Sequence, residues 1–222
     1  GQTVWSAANT IELIPDEPLK NGQRYEVKLA LNKIIETEEA YSIFSFSFDV
    51  IQQSMVLSGF GTRTFITEGK KAATVRASLI TADYASPEKI EECVQASYQN
   101  REVVLLWNHD QGNKKHSFTT AALERKPDDG LLLIQWDATP IGGQGSGTYK
   151  ADIPGTSNFK MVSIQAMPKP DNYIYIELSD SPDPNQQTEG LIRLQDGPKL
   201  RFEIDNNRIK AYPMEETAMD VV

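Results

Sequence analysis

Few side chains in this sequence are of the kinds that make or break bonds. It holds one cysteine, Cys93, and two histidines, His109 and His116. A lone cysteine excludes an intrachain disulfide and any cysteine-cluster zinc or iron–sulfur centre. No histidine or basic residue adjoins Cys93 to stabilise a thiolate, so it reads as a buried, inert thiol. His109-Asp110 and His116 frame the polar segment 108–115. A metal centre commonly takes three or more ligands, and this segment reads as a solvated hairpin. Asp180, Asp183, Asn185 and Glu189 form an oxygen-rich loop of a composition that suits calcium. Its spacing is not that of an EF-hand and the central glycine is missing, so an exposed turn is the favoured reading. The glycine-rich stretch 141–147 lacks the Gly-Lys-Ser/Thr of a phosphate-binding loop. No Gly-x-Ser-x-Gly elbow and no His-Glu-x-x-His motif occurs. Adjacent carboxylates at Asp128-Asp129 and Glu91-Glu92 point apart on a strand or helix and do not converge on one substrate. The expected catalytic, cofactor-binding and metal-ligating residues are therefore none, with no cofactor and no enzymatic activity.

The elements that would position any site are mostly strands. Tyr25, Val27, Leu29 and Leu31 alternate with polar or small residues, as do Phe44, Phe46, Phe48 and Val50 and then Leu200, Phe202 and Ile204. Period two places apolar groups on one face of a strand. Val75, Ala77 and Leu79 give a weaker version, and Leu131 to Trp136 and Tyr173 to Leu178 are rich in β-formers on both faces. The continuous apolar run Val103 to Trp107 predicts a central strand covered on both sides. Turn signals at Asn21-Gly22, Asp128-Asp129-Gly130 and Asp205-Asn206-Asn207 separate these runs. One segment departs from the pattern. Ile90, Cys93, Val94 and Tyr98 fall at helical spacing behind Ser86-Pro87-Glu88, which predicts an amphipathic helix over about 86–99. Four glycines within 141–147 predict a mobile loop. The fold class expected is all-β, built of tandem sandwiches with that one helix.

Among 222 residues, 31 are acidic and 22 basic, a formal net charge of −9. That balance disfavours non-specific contact with nucleic acid or anionic lipid. No apolar run approaches the ~20 residues of a membrane helix. The first residues have neither a basic nor an apolar leader segment. Gly1 reads as a cleavage scar and the chain as an excerpt of a longer one, so the missing leader carries no weight on location.

An internal echo supports the excerpt reading. Asn9 to Pro15 and Asn207 to Pro213 share the order Asn, polar, Ile, charged, apolar, apolar, Pro. A tandem array cut at both ends accounts for one copy near each terminus. The stretches 9–27 and 173–213 resemble the N-terminal region of bacterial alpha-2-macroglobulin-like proteins of the Bacteroidetes type. Phe44-Ser45-Phe46-Ser47-Phe48 is similar to the alternating strand that ends an Ig-like unit there. Ile153-Pro154 is similar to a strand leading into the inter-domain connection. Leu178-Ser179-Asp180, with Asp183 and Gln186, resembles the family's strand followed by Ser-Asp-x-x-Asp-x-x-Gln. Leu178 and Pro182 stand where family members often have Phe and Leu. The resemblance implies Ig-like and macroglobulin-like domains in the scaffold of an endopeptidase inhibitor that traps proteases once a bait region elsewhere is cut. Members with an internal thioester carry Cys-x-Glu-Gln; here Cys93-Val94-Gln95-Ala96 has Gln in place of the Glu and Ala in place of the Gln, so the thioester motif is absent from this stretch. The domains expected are a partial Ig-like unit at 1–50, a macroglobulin-like sandwich at 51–168 and a partial unit at 169–222. The implied partners are neighbouring domains of the parent chain and the proteases it engages, and the implied location is the cell envelope, on its periplasmic or extracellular face. The alternative is a cell-surface Ig-like binding or adhesion module.

Overall fold

Alternating apolar and polar residues become strands throughout the chain. The computed structural model describes residues 1–110, 112, 114–183, 190 and 192–214. Two hairpins come first. Strand β1 (Gln2–Ala7) pairs with β2 (Thr10–Ile14), and β3 (Arg24–Ala30) with β4 (Ile43–Asp49). In the second hairpin the register sets Tyr25 opposite Phe48, Val27 opposite Phe46 and Leu29 opposite Phe44. The period-two pattern thus collects one apolar ladder, with Tyr25 and Phe48 stacked 6.0 Å apart. Phe44, Phe46 and Phe48 nevertheless stay exposed.

A sandwich follows. Its first sheet contains β5 (Met55–Thr67), β6 (Lys70–Thr81), β9 (Leu105–His109), β10 (Lys115–Thr120) and β11 (Leu123–Glu124). The second contains β7 (Val94–Tyr98), β8 (Arg101–Val103), β12 (Gly130–Asp137) and β13 (Ser146–Ile153), in the order β13-β12-β7-β8. Val75, Ala77, Leu79 and Phe118 from one sheet form a single buried core with Ala96, Leu132, Ile134 and Ile153 from the other. The last sheet, ordered β14-β15-β17-β16, is formed by β14 (Met161–Met167), β15 (Tyr173–Leu178), β16 (Leu200–Asp205) and β17 (Arg208–Pro213). It buries Ile176, Ile209 and Ala211. Strand β14 precedes the expected boundary at 168 yet pairs with β15 beyond it. Both echoing segments form the second strand of a hairpin, β2 after Ala8-Asn9 and β17 after Asn206-Asn207. Asn206 takes φ +54°, a conformation that asparagine tolerates.

Two expectations are corrected. The helix, α1, spans only Pro87–Glu92. Val94 and Tyr98 fit a strand period as well as a helical one, Ala96 fits only the strand, and pairing of β7 with β12 decides for it. Ser86 stands at the helix start in extended conformation without a side-chain capping bond, while Glu88 is held below its ordinary range by a backbone N–H and the Ser86 hydroxyl. The run 103–107 is not one central strand. The chain leaves the edge of one sheet at Val103 and joins the edge of the other at Leu105, with Val104 between them 64% exposed. The glycine stretch is exposed at Gly142 and Gly145 and close-packed at two other positions. A Cβ at Gly143 would lie 3.0 Å from Ala138 Cβ, and one at Gly147 2.8 Å from Trp136 Nε1, so both positions exist for close approach.

The core and the first hairpins should respond differently to truncation. Ile134→Ala, at a fully buried position, is expected to cost about 2–5 kcal/mol. Phe46→Ala, on the exposed ladder, should cost no more than about 1.5 kcal/mol. Urea denaturation of the two variants against the parent chain checks the contrast, and equal losses would contradict this account of the core.

Candidate functional site

The sandwich meets the last sheet at a buried guanidinium. Arg125 follows β11, and its side chain is 1% exposed. Its Nε donates to Pro154 O at 2.7 Å, Nη1 to Ser179 O at 2.7 Å and Nη2 to Gly155 O at 3.0 Å. Nη1 and Nη2 also grip the Asp180 carboxylate, at 3.1 and 2.9 Å. A guanidinium has five N–H donors, and here each has an acceptor. Lys71 reaches the same carboxylate at 2.7 Å, and the Ser179 hydroxyl donates to it at 3.0 Å. Burial alone would raise the Asp180 carboxyl, but the bonds from Arg125, Lys71 and Ser179 outweigh it and hold it below its usual range. A second seam lies alongside. Asn207 Nδ2 donates to Thr64 Oγ1 at 2.9 Å and to Leu178 O at 2.8 Å, tying β5 to the last sheet.

This geometry corrects the reading of the oxygen-rich loop. Asp180 is 16% exposed and paired with cations of its own chain, so it is not the solvated turn residue expected. Asn185 and Glu189 lie outside the described residues. Of the Asp128-Asp129 pair, Asp129 accepts from the Gly155 N–H at 2.8 Å and pairs with Lys160, bonds that hold its carboxyl down at about 2.

Beside this joint, β5, β6 and β13 face β14, β15 and β17 across a cleft of about 800 Å³. Arg63, Arg76 and Arg208 line it, from β5, β6 and β17 respectively. Among the described residues none of the three is in an ion pair. Glu177 of β15 also lines the cleft, is 8% exposed, and has Oε1 buried without a hydrogen-bond partner. Burial pushes its carboxyl up, against the pull of Arg208, Arg63 and Arg76. Phe60 and Tyr149 stack face to face at the cleft, with centroids 3.4 Å apart and planes 8° apart.

The histidines form a third cluster, away from the cleft. They are cross-strand partners on β9 and β10, with His109 Nδ1 2.9 Å from His116 Nδ1 and His109 Nε2 3.2 Å from Glu91 Oε1. In the tautomer in which Glu91 accepts from His109 Nε2–H, His109 Nδ1 accepts from His116 Nδ1–H, and the buried His116 Nε2 has no partner. The expected solvated hairpin is thus corrected at His116. Its alternation on β10 turns the ring inward, edge-on to His109 and 4% exposed. Among the described residues no group of three or more His, Cys, Asp or Glu is placed to hold a metal ion. Cys93 is buried at the end of α1, and its thiol, 3.2 Å from Lys89 O, is pushed up to about 11 by burial.

Sequence reasoning named Asp180 and missed Arg125, Glu177 and the three cleft arginines, which look like ordinary surface charges along the chain. Comparison with family models, curated proteins and solved structures returned no match.

Two measurements follow from these clusters. Arg125→Ala leaves Asp180 without its bidentate partner and is expected to cost about 3–5 kcal/mol, with Arg125→Lys restoring only part because three donors cannot serve five acceptors. A loss below about 1 kcal/mol in chemical denaturation would show that the joint holds by other means. Burial, and then the charge of His109, hold His116 below its ordinary range, so the folded state resists its protonation. The unfolded chain takes up that proton below about pH 6.5, so stability is complete above this value and falls as pH drops through it. The urea midpoint should decline from about pH 8 to pH 5, and His116→Gln should flatten the decline.

Proposed function

We propose that this chain is a non-catalytic structural segment of a bacterial alpha-2-macroglobulin-like envelope protease inhibitor, a scaffold for a protease-trapping conformational change. The observation that carries the reading is the place of Ser179-Asp180. The dipeptide at the centre of the family resemblance is the one that receives Arg125 and fastens the last sheet to the sandwich. A framework motif retained for mechanical reasons belongs at such a joint. Trapping by collapse needs units that move as bodies, because soft connections would dissipate the displacement that follows a bait cut. A fully bonded buried guanidinium between two β units supplies that stiffness. The bait region, the proteases and the further domains belong to the parent chain, on the periplasmic or extracellular face of the envelope.

A second reading, a cell-surface Ig-like binding module, draws on a different observation, the arginine-lined cleft between the sheets. The two separate in one experiment on the full-length parent. A broad-specificity protease is added while cleavage and hydrodynamic radius are followed together. The scaffold reading expects a single early cut, compaction and protease retained on the product. It also expects Arg125→Ala to blunt compaction while leaving the first cut unchanged. Piecemeal digestion without compaction would sink it in favour of the binding module.

A further inference from the structure

We infer that the cleft between the sandwich and the last sheet is a binding site for a small hydroxylated anion, a sugar acid or a sugar phosphate. The inference stands apart from the scaffold reading and rests on the cleft alone. At about 800 Å³ the cleft falls within the size of small-molecule sites, roughly 300–1,000 Å³. Its cationic side comes from three strands in two sheets. Arg63, Arg76 and Arg208 gather there although the chain as a whole carries a net charge of −9. Acidic partners are plentiful elsewhere, yet none of these guanidiniums is ion-paired among the described residues. Arg208 Nε is buried with no hydrogen-bond partner at all. Gly61 makes room for one of them: a Cβ there would lie 3.1 Å from Arg76 Nε. The planar fork of arginine suits the paired oxygens of carboxylate and phosphate.

The anionic member of the cleft narrows the choice. Glu177 Oε1 is a buried acceptor with no donor, and leaving such a group unmet costs free energy. A bare oxyanion would repel it. A ligand whose hydroxyl donates to Glu177 while its oxyanion meets the arginines satisfies both. The remaining charged groups lining the cleft are Lys150, Asp152 and Lys160, and Lys160 is already engaged by Asp129. The stacked Phe60–Tyr149 pair adds a flat apolar border against which the C–H face of a sugar ring can lie.

The test is calorimetric titration of the full chain at low ionic strength with glucuronate, glucose 6-phosphate, glucose and inorganic phosphate. Saturable binding of glucuronate, glucose 6-phosphate or both is expected, with glucose and inorganic phosphate weaker by about tenfold or more. The preferred arm tells carboxylate from phosphate. Arg63→Ala/Arg76→Ala should weaken the preferred ligand by about tenfold or more. Both positions are exposed, so this variant should fold, and an unchanged unfolding curve verifies it. Glu177→Gln should narrow the gap between glucose 6-phosphate and inorganic phosphate, since the repulsion of the bare anion is gone. No saturation by either sugar anion at about 10 mM would overturn the inference. So would equal binding of glucose, or affinity unchanged in the folded arginine variant.

Discussion

A guanidinium can leave water only if every one of its donors finds an oxygen, and the arrangement of this molecule around Arg125 follows from that constraint. Its acceptors come from the end of β13 at Pro154 and Gly155 and from the end of β15 at Ser179 and Asp180. Meeting all of them fixes where the last sheet stands relative to the sandwich. That placement brings Arg208 and Glu177 of the last sheet opposite Arg63 and Arg76 of the sandwich, so the cleft is a geometric consequence of the joint. Lys71 adds a second cation to Asp180 and offsets the cost of burying its charge.

The sandwich itself depends on a different balance. Its core is continuous apolar packing between two sheets, with Gln53 among the polar residues buried beside it. Gln53 Nε2 donates to Asp83 O and Tyr84 O, while its Oε1 accepts from the Ser54 and Asp83 N–H groups. A side chain with both amide ends satisfied pins the loop after β6 to the entry of β5 without an orphaned group. The first hairpins have no comparable core, which is why their aromatic ladder remains exposed despite its regular alternation.

Much of the fold is legible in the sequence where one face of a strand is apolar. The alternations at 25–31, 44–50 and 200–204 each become strand, and the turn at Asp205-Asn206-Asn207 joins the last of them to β17. Legibility fails where one set of residues fits two periods, as at Cys93 to Tyr98, because only the partner strand β12 breaks the tie. It fails again at Val103 to Trp107, where a run of apolar residues hides a crossing between sheets. The joint is half legible. Ser179-Asp180 draws attention through its resemblance, whereas Arg125 sits in Glu124-Arg125-Lys126 and looks like a solvated charge run. Its acceptors lie 29 to 55 residues away, beyond any local pattern. Glu177 is likewise hidden, a single acid in a strand of β-formers whose burial depends on the sheet opposite.

The two connections of the sandwich differ in physical character, and the difference bears on how such a chain could move. On one side stand a buried, fully bonded arginine and the Asn207–Thr64 seam. On the other, Asn21 at the turn before β3 reaches Ile51 O at 3.2 Å and Asp83 Oδ2 at 3.3 Å, and Gly22 lies against the Gln52 side chain. Neutral-donor bonds near solvent are worth far less than a desolvated bidentate pair, because water replaces them when they break. The sandwich is therefore tied more firmly to the last sheet than to the first hairpins. A ligand in the cleft acts on the stiff side. By bridging Arg63 and Arg76 to Arg208 it adds contacts across an interface already held by Arg125, so it reinforces that pairing of sheets without creating it.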